Sequence, residues 1–488
     1  MQTRKYIYRA SVLCLVFFLL LSGCNWMVEV EPPVNNISES SVYTSDPTAI
    51  AVLTGIYHEM MVYTSSAFNQ WLEVSNAHFY LALAADELTL NVLSDATLVA
   101  FYRNDQEAYF VSGGTGFWTW MYSQVFKANA AIEGLTDNPL ITKGVQQQLM
   151  GEALFIRALY HFYLVNMYGD VPLVLTTDYV VNSKLARTPK DEVWTQIISD
   201  LKEAKSLLSA TYRDGTLLST TLDRVRPTKW VATALLARAY LYKQEWALAE
   251  QEATELLNQS SQFSLSSLSN AFLMARSGNN EAIWQLQPVG YVNNLNTGDG
   301  RLFILPATGP FTTSYPVYLY DGLVNSFEEG DLRKTNWCNF VTVGGKDYYY
   351  AYKYKIGTIN TPTAEHPMMF RLGEQYLIRA EARAQQNKLT EARADLNIIR
   401  TRAGLGAATT SNQAELLTAI LHERRVELFT EAGHRWFDLK RTEKVNEVMS
   451  KVTPEKGGTW KPEWQYFPVS QADLLRGVNL IQTPGYSH

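Results

Sequence analysis

The chain has 488 residues, 47% of them hydrophobic, and a formal net charge of −6. That supplies a large core, and length alone would allow two or three domains. The acidic balance excludes a basic phosphate-binding surface, and nucleic acid with it; three cysteines exclude a disulfide framework.

Arg4, Lys5 and Arg9 precede an unbroken apolar run from Val12 to Leu21. A helix that crosses the hydrocarbon core needs ~20 apolar residues, twice that run. The run suits the centre of a secretory signal with a basic front. The signal closes on Leu21-Ser22-Gly23-Cys24, which resembles the lipobox of bacterial lipoproteins. The resemblance implies removal of residues 1–23 and a diacylglycerol on the Cys24 thiol. The plainer alternative is a chance cysteine after an ordinary signal. Loss of the three basic residues takes the net charge from −6 to −9. Residues 24–47, with "EPPVNNISES", read as a polar tether to the folded body.

Helical periodicity starts at Asp46-Pro47, a cap and a first-turn proline. In 146–174, Leu149, Ala153, Ile156, Tyr160, Tyr163 and Met167 share one helix face. Gly169 ends that helix and Pro172 prevents its restart. Segments 234–257 and 377–400 align without gaps at an offset of 143 residues. Ala237 matches Ala380, Ala249 matches Ala392, and Leu256 matches Ile399. Each reads as helix, polar turn, helix, with small residues where the helices cross. That is the pattern of tetratricopeptide hairpins, here scattered rather than tandem. It predicts a mostly α scaffold with a long irregular insertion and a few short strands.

The insertion, about 281–360, opens with a strand from Glu281 to Gln287. Trp284 shares a strand face with Ala282 and Leu286, which points to core packing. A long run rich in Gly, Asn, Thr and Pro follows. Loops of that length are functional or disordered, and its apolar residues argue against disorder. Tyr348, Tyr350, Tyr352 and Tyr354 alternate on one strand face. That face either stacks on a glycan or packs on a neighbour, and packing is the commoner use.

Catalytic and metal signatures are few. His422-Glu423-Arg424 lacks the second histidine of a zinc-protease helix. No Cys/His spacing supports a metal, and "NNLNTGDG" (293–300) lacks the alternating acids of a calcium loop. No cofactor is expected. In "HERRVELFTEAGHRWFDLKR" a catalytic reading pairs Glu427 or Glu431 with Arg435 and Asp438. A structural ion-pair network is the better reading, since arginines hold carboxylates ionised.

The order of motifs then resembles a known family. The lipobox is followed by "RALYHFYLVNMYGDVPLV", "KWVATALLARAYLY", "GEQYLIRAEARA" with "LNIIRTRAGL", "HERRVELFTEAGHRWFDLKR", and "FPVSQADLL" with "QTPGY". Together they are similar to the SusD/RagB family of Bacteroidota outer-membrane lipoproteins, over nearly the whole mature chain. Thr483 departs from the family's terminal Asn-Pro-Gly-Tyr, and only a lost turn contact is expected there. The resemblance implies one SusD-like domain over 48–488. Its helical parts fall at about 48–270 and 368–488, and its body carries four tetratricopeptide-like hairpins. It also implies a non-enzymatic lid on a SusC-like TonB-dependent transporter, lipid-anchored at the outer membrane and facing the exterior. The lid captures an oligosaccharide, or in some members a peptide or other nutrient.

Candidate ligand residues follow from both lines of reasoning. Tyr291, Asn293 and Asn294 leave the strand into the long loop, with a stacking face and in-plane amides for sugar hydroxyls. The same "NN" is also ordinary turn chemistry. Phe101 and Tyr102 match by order the early loop that supplies aromatics in starch-binding relatives. Arg103 or Arg301 would fix an anionic sugar, although a solvated surface arginine is the commoner case, and Tyr315 is a further aromatic of the insertion. Two rival readings stand beside capture for a transporter. One is a surface glycoside hydrolase or free-standing glycan-binding lipoprotein, since two carboxylates can meet in space without a motif. The other is a tetratricopeptide scaffold for protein partners.

Overall fold

The computed structural model describes residues 42–63, 74–105, 107, 116–290 and 295–486. Cys24 and the tether up to residue 41 lie outside them. Helix α1 (Asp46–Met61) begins at the expected cap. Helix α2 (Val74–Ala84), strand β1 (Leu88–Leu90) and helix α3 (Ala96–Tyr102) follow. Two long helices come next, α4 (Gly116–Leu135) and α5 (Lys143–Tyr168). Helix α5 ends at Gly169, whose φ of 75° suits a residue without Cβ. Most of α5 is buried on every side, because α1, α4 and α6 (Lys190–Leu207) pack around it.

Helices α7 (Lys229–Tyr242) and α8 (Trp246–Leu257) form the first expected hairpin. The chain then leaves the helical stack for the insertion. There it forms β2 (Ala282–Gln285), α9 (Gly298–Phe303), β3 (Val317–Leu319), β4 (Cys338–Val343), β5 (Lys346–Ala351) and β6 (Met368–Arg371). It returns as α10 (Leu372–Gln385) and α11 (Leu389–Arg402), the second expected hairpin. Gln244 and Asn387, at equivalent places in the two hairpin turns, both take left-handed φ, 60° and 62°. The hairpins stack directly, α8 against α10, although the insertion separates them in sequence. Their alanines are fully buried at the crossings, as close approach requires. Hairpin α5/α6 continues the stack through α6 on α7, and α1 with α4 packs on the outer side of α5. Helices α12 (Gln413–Glu427), α13 (His434–Arg441) and α14 (Val445–Glu455) follow, with α12 on α10, and a short helix, Gln471–Arg476, comes after them.

The strands make only two-stranded ladders. Strand β2 pairs antiparallel with β6, β1 with β3, and β4 with β5 through a turn at Gly344-Gly345. A parallel ladder joins Val62 to Val289 and Tyr63 to Gly290. Trp284 is fully buried between Phe155 and Phe370, as its strand face predicts. Tyr348 and Tyr350 pack with Leu305 and Tyr318 in a satellite cluster, and Tyr354 joins the main core. The tyrosine face is thus a packing surface. The strand stops at Ala351, so Tyr352 and Tyr354 lie beyond it.

Candidate functional site

The charged C-terminal segment builds a buried network rather than an acid–base pair. Arg371, at the end of β6, reaches Glu427 at 2.5 Å, Glu431 at 2.7 Å and Glu281 at 3.0 Å. Arg333 reaches Glu423 at 2.5 Å, Glu427 at 2.9 Å and Asp331 at 2.8 Å. Arg402 of α11 bonds Glu281 at 2.6 Å and also pairs with Glu427. Lys353 pairs with Glu431 over the Phe429 ring. Burial pushes Glu427 up, but Arg402, Arg371 and Arg333 outweigh it and hold the carboxyl well below its ordinary range. A carboxylate so held donates no proton. Arg435 instead pairs with Asp86, and Asp438 with Arg424 and Arg441. Gly373 is required where this network presses on α10: a Cβ there would sit 2.6 Å from an Arg371 nitrogen and 3.0 Å from Glu427.

Adjacent carboxyls with widely separated acidities occur at Asp86–Glu87. Burial raises Asp86, but Arg435 and Arg425 bring it down to about 2. Burial, then the neighbouring Asp86 charge, pushes Glu87 up to about 8. Both are buried, and the void beside Glu87 holds about 30 Å³. A sugar ring does not fit there.

A cleft of about 270 Å³ has room for one. Its walls are α1 (Thr54, Tyr57, His58), the 213–226 connection (Arg213, Asp214, Thr221, Asp223, Arg226) and the exit of β2 (Gln287, Val289). The floor is a relay of hydrogen bonds. Tyr57 Oη donates to Glu152 Oε2 at 2.8 Å, Arg226 Nη1 donates to both Glu152 oxygens at 3.0 and 2.7 Å, and Arg226 Nη2 reaches Thr54 Oγ1 at 2.8 Å. The Tyr57 ring meets Trp284 edge-on and Arg226 by its face. Burial, then the Glu152 charge, raises the Tyr57 hydroxyl well above its ordinary value, so it stays a donor. At the rim, Asp223 is held by Arg276. Asp214 accepts from the Thr216 hydroxyl and from backbone amides, and the Thr216 bond lowers its pKa. Asp214 is therefore an acceptor, not a general acid. The Arg213 guanidinium forms no ion pair among the described residues, and Gln287 is exposed. The wall thus offers a fork of donors, an amide, two acceptors and a tyrosine ring, the set that sugar hydroxyls need.

The expected ligand residues are not gathered in this cleft. Tyr291, Asn293 and Asn294 lie outside the described residues, next to Gly290 in the parallel ladder at the cleft's edge. Phe101 is 3% exposed, its ring surrounded by Tyr80, Phe117 and Phe467 at 4.7 to 6.2 Å. It belongs to the core, which corrects its assignment to a stacking platform. Tyr102 is buried beside it beneath Lys456, and burial pushes its hydroxyl up to about 12. Arg301 is half-buried on α9, and Tyr315 half-buried at the edge of the Tyr348 cluster. Neither lines the cleft. Thr483 does more than expected: its hydroxyl donates to Phe467 O at 2.9 Å and accepts from Arg187 at 3.0 Å. The cleft residues were missed because three distant segments supply them; only the Asp214-Gly215 turn was visible locally.

Two family models match the chain. One, described as starch-binding and associating with the outer membrane, covers residues 48–241, and the SusD family model covers 332–486. SusD-like protein P2 of Formosa agariphila is 25% identical over 97% of this chain and 98% of its own. A SusD-like protein of Bacteroides ovatus is 26% identical over 67% of this chain and 65% of its own. A SusD superfamily crystal structure from Bacteroides vulgatus superposes with a TM-score of 0.75 at 20% identity, covering 91% of this chain and 100% of that one. A laminarin-binding SusD-like protein does so with a TM-score of 0.72 at 23% identity, covering 91% and 100%.

Proposed function

This chain belongs to the SusD/RagB family, and from that membership we propose that it captures a glycan at the cell surface for a SusC-like TonB-dependent transporter. The observation that carries the reading is the agreement of both family models with a cleft whose wall suits sugar hydroxyls. In the proposed complex the Arg213 fork and the Gln287 amide donate to ring hydroxyls, and Asp214 accepts from them. Tyr291, Asn293 and Asn294, which follow Gly290 in the sequence, remain candidates for further contacts. On this reading the protein performs no chemistry on the glycan: the Thr216 hydroxyl lowers the Asp214 pKa, and a glycosidase needs a carboxyl that is protonated.

Lipid on Cys24 and the tether keep the protein at the outer membrane, where it closes as a lid over the transporter. Confinement raises the effective concentration of the captured sugar, so modest affinity suffices. Affinity electrophoresis through gels that contain laminarin or other polysaccharides tests the reading. Arg213→Ala is expected to weaken retardation by about tenfold or more, the worth of one charged hydrogen bond, without a change in unfolding midpoint. Unaltered retardation in both Arg213→Ala and Tyr291→Ala would move the site elsewhere. Turnover of the bound oligosaccharide would overturn the non-catalytic reading.

A further inference from the structure

The molecule carries an apolar protrusion where its N-terminal segment leaves the fold. Residue 43 is fastened to the end of α4: Gly134 leaves room for the Tyr43 ring, and Asn138 Nδ2 donates to Tyr43 O at 2.9 Å. One residue back along α4, Glu133 accepts from the Thr176 hydroxyl at 2.8 Å and the Thr177 amide at 2.9 Å. Those bonds hold up a single helical turn, Tyr179–Asn182, capped by Asp178. Tyr179 is 80% exposed, Val180 60% and Val181 48%. Leu140, next to Asn138, is 62% exposed. Asn479 Nδ2 donates to Lys184 O at 2.8 Å, and Val478 beside it is 82% exposed.

Scattered exposed apolar residues need no explanation, but a contiguous group marks an interaction surface. We propose that this protrusion inserts into the lipid surface to which the chain is tethered; the inference rests on the lipoprotein reading of Cys24. Three observations select lipid over a protein partner. The residues project outward, and acyl chains accept such a shape without a complementary groove, whereas a protein must be moulded to it. A tyrosine with exposed Lys184 nearby is interfacial chemistry, ring at the headgroup level and ammonium on phosphate. The described residues also begin at this face, with Tyr43 held against α4. Residues 24–41 span at most ~60 Å when extended, so the face they leave from is the one they draw toward the lipid.

The test uses the full-length lipoprotein in vesicles of phosphatidylethanolamine and phosphatidylglycerol. A polarity-sensitive fluorophore is placed at Val180→Cys or, as a control, at Thr418→Cys on α12; Cys338 is buried and unreactive. Nitroxide-labelled lipid is expected to quench position 180 several-fold more than position 418. Equal quenching in an anchored protein overturns the inference and leaves the anchor intact. If metabolic labelling finds no lipid on the chain, the anchor reading fails instead. The unlipidated full chain is then sedimented with the same vesicles. A drop of about tenfold in partitioning for Val180→Asp/Val181→Asp supports the protrusion as a lipid contact, and no drop overturns it. A spectral shift at position 180 that grows with protein concentration in the absence of vesicles assigns the patch to a second copy and also overturns it.

Discussion

Changing Glu427 to Gln tests whether buried charge holds the insertion against the helices. Three guanidiniums share that carboxylate: Arg371 at 2.5 Å, Arg333 at 2.9 Å, and Arg402. Removing one partner of a buried ion pair costs about 3–5 kcal/mol, because the remaining charge stays desolvated. Arg371 and Arg402 keep Glu281, and Arg333 keeps Asp331 and Glu423. The expected loss is therefore at the lower end, about 3 kcal/mol, read from urea denaturation. Asp191→Asn removes the same charge from an exposed pair with Lys243 and should cost at most about 1 kcal/mol. The pH dependence has a definite sign. Burial raises Glu427, but its arginines hold it well below 4.5, so its stabilisation is present above 4.5 and lost as pH falls through the lower folded value. The gap between wild type and Glu427→Gln is accordingly full at neutral pH and narrows in acid. A neutral-pH loss no larger than that of Asp191→Asn, or a gap unchanged into acid, would refute the reasoning.

Phe101→Ala should cost about 3–5 kcal/mol in urea denaturation, as for an aromatic removed from a packed core. Glycan binding by the folded fraction should be unchanged; lost binding at unchanged stability would restore Phe101 to the ligand site. Glu87 titrates with the opposite sign to Glu427. Burial and the Asp86 charge raise it to about 8, so its contribution is full below 4.5 and lost as pH rises through about 8. Glu87→Gln, which cannot ionise, should therefore gain on wild type between acid and alkaline pH. Denaturation curves across that range check this, and a constant difference would refute it.

The helical frame was legible because its signals are local and repeated. Alanines at equivalent places in 234–257 and 377–400 announced both hairpins, and Gly169 announced the end of α5. What the alignment could not give is that the two hairpins touch, since the insertion lies between them in the chain. Trp284 was placed in the core by strand alternation alone. Phe101 was misassigned for a physical reason: an aromatic pair before "RND" looks the same whether its ring stacks on a sugar or on Tyr80 and Phe467. The cleft was invisible because Tyr57, Arg213 and Gln287 are apolar-face, turn and strand-end residues in their own segments. They line one cleft only because α1 meets the exit of β2.

That meeting explains why a structural network bears on capture. Strand β2 pairs with β6, and Glu281, just ahead of β2, bonds Arg371 at the end of β6 and Arg402 of α11. The start of β2 is thus tied to the helical stack, and its exit, with Gln287 and Val289, follows after the strand's four residues. The opposite wall is fixed too, by Arg226 to Glu152 of α5 and by Tyr57 to the same carboxylate. Both sides of the cleft are held by ion pairs and hydrogen bonds within the protein. A wall held in this way would leave little ordering cost for a ligand to overcome.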